Sequence, residues 1–316
     1  MELTLEQIKS ITTGALNIFE DADGIHFRRY SDEQLRIWGE MNEQYRHRSH
    51  CTAGCQLSFR TDSQNLILAV AAGAKYEILI DGLSTHFFAL ETARRIPVSL
   101  PAGDKHVVIS LPNYTEGILD SITLDEGSYV HPEIPTRKFL FLGDSITQGS
   151  QSSRDSRCYA YRVTRFFNAQ MLNQAVGGSR MHIETLEDNG YSPDAIFIAY
   201  GTNDYTRFYS TENLARNAGV YFDRVRELFP DTPIYYISPL WRADGNMVRK
   251  AGTLDDCRKA LIAQCQAHGF THIDGYSLVP HSPDCFNDGY LHPNDIGFSL
   301  YAENLIKFLI NEQSNL

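Results

Sequence analysis

Between residues 55 and 111 apolar and polar positions alternate in short runs: Cys55-Gln-Leu-Ser-Phe59, Leu66-Ile-Leu-Ala-Val70, Tyr76-Glu-Ile-Leu-Ile80, Ile96-Pro-Val-Ser-Leu100 and His106-Val-Val-Ile-Ser-Leu111. Turn formers separate them: Asp62-Ser63, Ala72-Gly73, Asp81-Gly82 and Pro101-Ala-Gly103-Asp104. Regular short strands with such breaks predict an all-β sandwich of jelly-roll type over residues 1–134. The stretch from Tyr129 to Pro135 holds two prolines and reads as the link between two halves of the chain. Past Lys138 the period changes. Apolar runs at Phe139–Leu142, Met171–Leu172, Ala195–Ala199 and Ile234–Ile237 alternate with helical stretches near 157–168, 211–229, 248–268 and 295–311. In the last, Leu300, Tyr301, Asn304, Leu305, Phe308 and Leu309 fall largely on one face. Alternation of strand and helix predicts a doubly wound, three-layer α/β domain with a parallel sheet over residues 135–316, its ligands at the carboxyl ends of the strands.

A length of 316 residues suits two domains. The net charge of -11, from 28 Lys+Arg against 39 Asp+Glu, argues against nucleic acid or an anionic membrane as a partner. No apolar run is long enough to span a bilayer, and the opening MELTLEQIKSITTGAL lacks the apolar core of a signal peptide. Six scattered cysteines suit reduced thiols, so a cytoplasmic location is expected. His47, His50, Cys51 and Cys55 cluster, but their spacing matches no familiar zinc site and no second pair complements them; strand-start cysteines are the simpler reading.

The first run of the second half leads straight into Gly143-Asp-Ser-Ile-Thr-Gln-Gly149. A serine at the carboxyl end of a buried strand presents its hydroxyl at the rim of the sheet. It is either a nucleophile awaiting a base or a helix cap. Three further segments bear on the choice: Asn173-Gln-Ala-Val-Gly177-Gly178-Ser, Gly201-Thr-Asn203-Asp204, and Asp288-Gly-Tyr-Leu-His292-Pro-Asn-Asp. In this order they resemble the four blocks of the SGNH (GDSL-type) hydrolase superfamily, over about residues 138–311. The resemblance implies Ser145 as nucleophile and His292 as general base. It implies an oxyanion hole of the Ser145 and Gly178 N–H groups and the Asn203 side-chain amide, with Gly178 rather than Gly177 at the matching offset. Such donors act best on charge that develops in the transition state. Taken alone, Asn203 also reads as a turn residue satisfying its own backbone.

Two positions depart from the pattern. Ala175 stands where the family usually has glycine. Position 289 is glycine where the family's carboxylate usually lies, so Asp288, four residues before His292, is the nearest carboxylate. Either Asp288 completes a triad from a longer loop, or a backbone carbonyl orients the imidazole. No metal or cofactor is needed by chemistry of this kind. A β domain joined to this hydrolase also resembles carbohydrate esterase family two, which implies O-deacetylation of a carbohydrate, with a small-molecule or oligosaccharide ester as partner. Asp144, beside the nucleophile, and Trp241, after the fourth strand, are candidate substrate contacts; Trp241 is equally an ordinary packing residue. Competing readings are a thioesterase, a lipase-like carboxylesterase, and a non-catalytic carbohydrate-binding protein.

Overall fold

The computed structural model describes residues 1–208 and 210–314; Tyr209, Asn315 and Leu316 of the second predicted domain lie outside them. Two antiparallel sheets occupy the first part of the chain. One runs, by strand, Thr12–Thr13, Gln56–Thr61, Lys105–Ser110, Lys75–Ile80, Leu83–Ala89, with His131–Pro132 added beside Gln56–Thr61. The other runs Asn17–Asp21, Gly24–Arg28, Ile118–Leu124, Asn65–Ala72, Arg94–Ser99. Their alternating residues close one core, in which Phe27, Phe59, Leu68, Val70, Ile78, Val107, Ile109 and Ile122 are fully or almost fully buried.

The remaining sheet is parallel, in spatial order Ala169–Ala175, Arg137–Gly143, Ala195–Ala199, Ile234–Ile237, Thr271–Ile273. Phe139 and Phe141 face the helices Tyr159–Phe166 and Asp295–Ser314, while Leu140 and Leu142 face Thr211–Leu228 and Leu254–Ala267. Burial on both faces is why these strands read as unbroken apolar runs. Because the chain turns in opposite directions on either side of Arg137–Gly143, that strand's carboxyl end is the topological switch point, where such sheets bind ligands. Leu79 and Val108 of the first sheet join the core on the Phe139 side, so the two halves share apolar contact.

Two features differ from the expectations of the sequence. The first part is not all-β: it contains helices Leu5–Ile11, Asp32–Met41 and Glu43–His50. The latter pair forms a small cluster of its own, Tyr30, Trp38 and Tyr45 with Val176 of the second half. Capping boxes Thr4-x-x-Gln7 and Ser31-x-x-Gln34 start two of these helices, a signal legible in sequence. The helix expected from 248 begins at Leu254, where Thr253 and Asp256 form a capping box. Residues before it form a turn held by paired backbone bonds between Arg249 and Gly252.

Candidate active site

Ser145 opens a four-residue helix, Ser145–Gln148, directly after the central parallel strand. Its N–H, first in the helix, has no intrahelical acceptor. Its Oγ lies 2.9 Å from Nε2 of His292. The serine is 7% exposed, so the hydroxyl is reached only from the rim.

His292 ends a tight loop. Asn287 N–H bonds the His292 carbonyl at 2.8 Å, and Gly289, at φ +62°, supplies the left-handed residue that the turn requires. Asp288 Oδ1 accepts the N–H groups of Tyr290, Leu291 and His292 at 2.9, 2.7 and 3.1 Å. Its other oxygen, Oδ2, lies 2.8 Å from His292 Nδ1. Burial pushes the Asp288 carboxyl up, but the Leu291 N–H, the imidazole and the other two N–H groups outweigh it and hold the group below its ordinary value. Asp284 contributes only its carbonyl, which accepts from Asn294 at 2.7 Å. The loop's far side is fastened by Tyr290, whose hydroxyl bonds Asp244 at 2.8 Å and whose carbonyl accepts the Ala243 N–H at 3.0 Å.

The glycine block is held differently. Gly178 has φ +79°, and a Cβ there would come within 3.0 Å of the Arg48 guanidinium. Arg48 Nη1 donates to the Gly177 carbonyl at 2.5 Å, and the Tyr45 hydroxyl donates to the Gly178 carbonyl at 2.8 Å. Gln148 accepts the Gly177 N–H at 2.7 Å. Arg29, 1% exposed, donates to the carbonyls of Cys51 at 2.6 Å, Arg48 at 3.0 Å, Ala175 at 3.2 Å and Asn173. With the Gly177 carbonyl fixed from behind by Arg48, the N–H of the same peptide, that of Gly178, can point forward; no acceptor is assigned to it among the described residues. Asn203 Nδ2 lies 3.0 Å from the Ser179 carbonyl and 3.4 Å from Asp144 Oδ2, so one of its N–H groups is only loosely committed.

A family model for the GDSL-like lipase/acylhydrolase family matches residues 141–300, about half of the chain. The chain belongs to that family. No curated protein sequence matches this family member. Among solved structures it is similar to the salicylyl-acyltransferase SsfX3 from a tetracycline biosynthetic pathway, with TM-score 0.82 and 20% identity over 96% of this chain and 94% of that one. A GDSL-like lipase structure from Bacteroides ovatus follows at TM-score 0.80 and 19% identity, covering 98% and 97%. A family two carbohydrate esterase from Clostridium thermocellum, in complex with cellohexaose, has TM-score 0.68 and 18% identity over 96% and 99%. At these identities the likeness carries the two-part fold shared with GDSL-like hydrolases.

Of the residues singled out in the sequence of this GDSL-like hydrolase, Ser145, His292 and Asp288 come together, and Gly178 and Asn203 lie on the neighbouring loops. Asp144 and Trp241 are placed otherwise. Asp144 is 2% exposed and caps the helix that Ser145 opens by accepting the Ile146 N–H at 3.0 Å, so its carboxylate faces inward rather than toward a substrate. Burial, above all, pushes it up to about 7, with the charge of Asp204 adding to the rise. The Trp241 ring stacks on His281 at 6.0 Å and packs against Phe286 at 5.4 Å, which is the packing alternative. His50 bonds the Arg46 carbonyl at 2.8 Å, and the buried Cys51 and Cys55 thiols donate to the His47 and Gly14 carbonyls. Among the described residues no three His, Cys, Asp or Glu side chains form a metal-binding group, and no helix is long and apolar enough to cross a membrane. Sequence reasoning missed Arg29, Tyr45, Arg48 and Gln148. Only the capping box at Ser31 hinted at an ordered segment in their neighbourhood.

Proposed function

We propose that this GDSL-like hydrolase is a serine esterase that removes short acyl groups, acetyl foremost, from a carbohydrate through an acyl-enzyme. The continuous hydrogen-bond path from Asp288 through His292 to Ser145 Oγ carries this reading. Ser145 Oγ attacks the ester carbonyl as its proton passes to His292 Nε2, and Asp288 holds the opposite ring nitrogen protonated and stabilises the imidazolium. The carbonyl oxygen gains negative charge and meets the Ser145 and Gly178 N–H groups, with Asn203 Nδ2 turning from Asp144 to join them. His292 returns the proton to the departing sugar oxygen. Water, deprotonated by the same imidazole, then cleaves the acyl-serine and regenerates the enzyme. Every group in these steps is supplied by the chain. Residues 1–134 and 135–316 are read as two domains working as one unit.

The carbohydrate assignment draws support from the shared architecture of carbohydrate esterases such as the Clostridium thermocellum protein solved with cellohexaose. Transfer of the acyl group to an alcohol is a second outcome for the same intermediate, favoured by the likeness to a salicylyl-acyltransferase along nearly the whole chain. Aryl acetate, butyrate and octanoate, followed by acetylated oligosaccharides, test the reading, with product analysis in water and in the presence of added alcohols. Acetate release faster than octanoate release is expected. The reverse order makes the protein lipase-like, and acyl transfer outrunning hydrolysis at millimolar alcohol makes it a transferase.

A further inference from the structure

Beside the Gly178 loop, against the helix Thr211–Leu228, lies an open cavity of about 400 Å³. Arg180, Arg207 and Arg216 line it, together with Asn213, Asn217 and Phe208, and among the described residues no carboxylate does. Some other arginines are paired with acids, as Arg36 is with Glu33 and Glu40 and Arg258 with Asp255 and Asp274, while Arg29 and Arg48 donate to backbone carbonyls. Arg180, Arg207 and Arg216 have no ion pair among the described residues, although the charge of Arg180 also acts on the buried carboxyl of Asp204. The Nε of Arg180 is buried and has no hydrogen-bond partner, while its guanidinium sits 5.1 Å from the centre of the Phe208 ring.

The cavity is also joined to the reacting centre. Arg180 follows Gly178 by two residues, and Arg207 ends the Thr202–Arg207 helix that carries Asn203. Arg207 Nη1 donates to the Tyr45 hydroxyl at 3.2 Å, and that hydroxyl donates to the Gly178 carbonyl. The positive field is felt next door: burial first, then the charges of Arg180 and Arg207 against that of Glu184, push His182 down to about 4. Like charges gathered in one concavity repel one another, and an anion relieves that repulsion. The guanidinium fork matches the paired oxygens of a carboxylate or phosphate.

We propose that this cavity holds an anionic group, carboxylate or phosphate, on the sugar portion of the ester, so that the enzyme selects acetylated acidic sugars over neutral ones. The proposal rests on the esterase reading above for its substrate. Anion recognition itself is measurable without turnover.

The test compares kcat/KM for an acetylated uronic acid, an acetylated hexose 6-phosphate and the matching neutral acetylated hexose, in wild type, R180Q, R216Q and the R180Q/R216Q double variant. A preference of about tenfold or more for one anionic ester over the neutral one is expected, weakening as salt is raised. It should fall toward unity in the double variant, mainly through KM. Whether uronate or phosphate shows it identifies the source of the anion. Equal kcat/KM on all three esters in wild type, or a preference that survives the double variant, overturns the proposal. Titration of wild type and double variant with glucuronate and with inorganic phosphate, followed by calorimetry, separates the two ideas. If no ester is cleaved but an anion binds wild type and not the variant, the esterase reading fails and the anion site stands. Absence of binding by either anion, alongside cleavage of neutral esters, removes the site and leaves the esterase.

Discussion

The loop that carries His292 and the loop that carries Gly178 meet across the same serine, yet they are built in opposite ways. The His292 loop is largely self-supporting: Asp288 gathers the N–H groups of the next residues and the ring itself within five positions of chain, and Tyr290 is tied to Asp244 of the same half. The Gly178 loop borrows its support. Its carbonyls are held by Tyr45 and Arg48, and the strand leading to it by Arg29, all from the first part of the chain. The acid-base half of the proposed chemistry is therefore local, and the charge-stabilising half depends on contacts between the two parts. The N-terminal region is in this respect a structural component of the proposed oxyanion hole as well as a neighbour to it.

That contrast can be broken at four points, taken from the largest expected effect down. Ser145→Ala removes the group both loops serve, and turnover of an aryl acetate should drop to roughly 1% of wild type or less with the melting temperature nearly unchanged. Retention of more than a few per cent would rule Ser145 out as nucleophile. Asp288→Ala should cost roughly 10²–10⁴ in kcat with little change in KM, since the imidazole loses the partner that fixes its tautomer. Asp284→Ala, whose side chain is not in the loop's hydrogen bonding, serves as control. An Asp288→Ala enzyme within tenfold of wild type would reduce the triad to a Ser145–His292 dyad.

Tyr45→Phe probes the borrowed support. Losing the hydroxyl that holds the Gly178 carbonyl should lower kcat about tenfold, the effect of loosening rather than deleting one oxyanion donor. An unchanged kcat would mean that Gly178 needs no help from the first part. The smallest effect concerns the junction itself. Asp155, buried near Glu77 of the first part, is pushed up to about 7, by burial first and then by the Glu77 charge. A carboxyl raised in the folded state favours folding fully at pH below its unfolded value near 3.8, and that contribution is lost as pH rises through about 7. Asp155→Asn should therefore raise the melting temperature relative to wild type by a few degrees at pH 8, and by less at pH 5. A gap independent of pH would show that Asp155 does not titrate there. The depressed carboxyl of Asp288 gives the opposite sign: its stabilisation is present above the unfolded value and fades only as pH falls through the lower folded one.

The same contrast explains what could be read from the chain. The parallel sheet and its flanking helices follow from period, because Phe139–Leu142 and Ala195–Ala199 are buried on both faces. Asp288 was accessible because its partner lies four residues away, within the reach of loop reasoning. Arg48 and Gly177 are separated by 129 positions, and no local pattern marks an arginine whose acceptor is the carbonyl of a distant loop. The helices Asp32–Met41 and Glu43–His50 escaped for a related reason. Their apolar residues are few, and Trp38 and Tyr45 find their cover in Val176 and the ring of His182. Asp144 shows the converse error, since proximity in sequence to Ser145 says nothing of which way a carboxylate points.

Arg29 has a consequence for how the protein comes into being. Two of its four carbonyl acceptors, those of Cys51 and Arg48, are made soon after it, and the other two, of Asn173 and Ala175, more than 140 residues later. During synthesis the guanidinium must stay hydrated until the strand Ala169–Ala175 arrives, because burying it half satisfied costs several kcal/mol. The first part of the chain thus finishes folding around the second rather than ahead of it, and the mature molecule should unfold in a single cooperative transition, with both cores lost together.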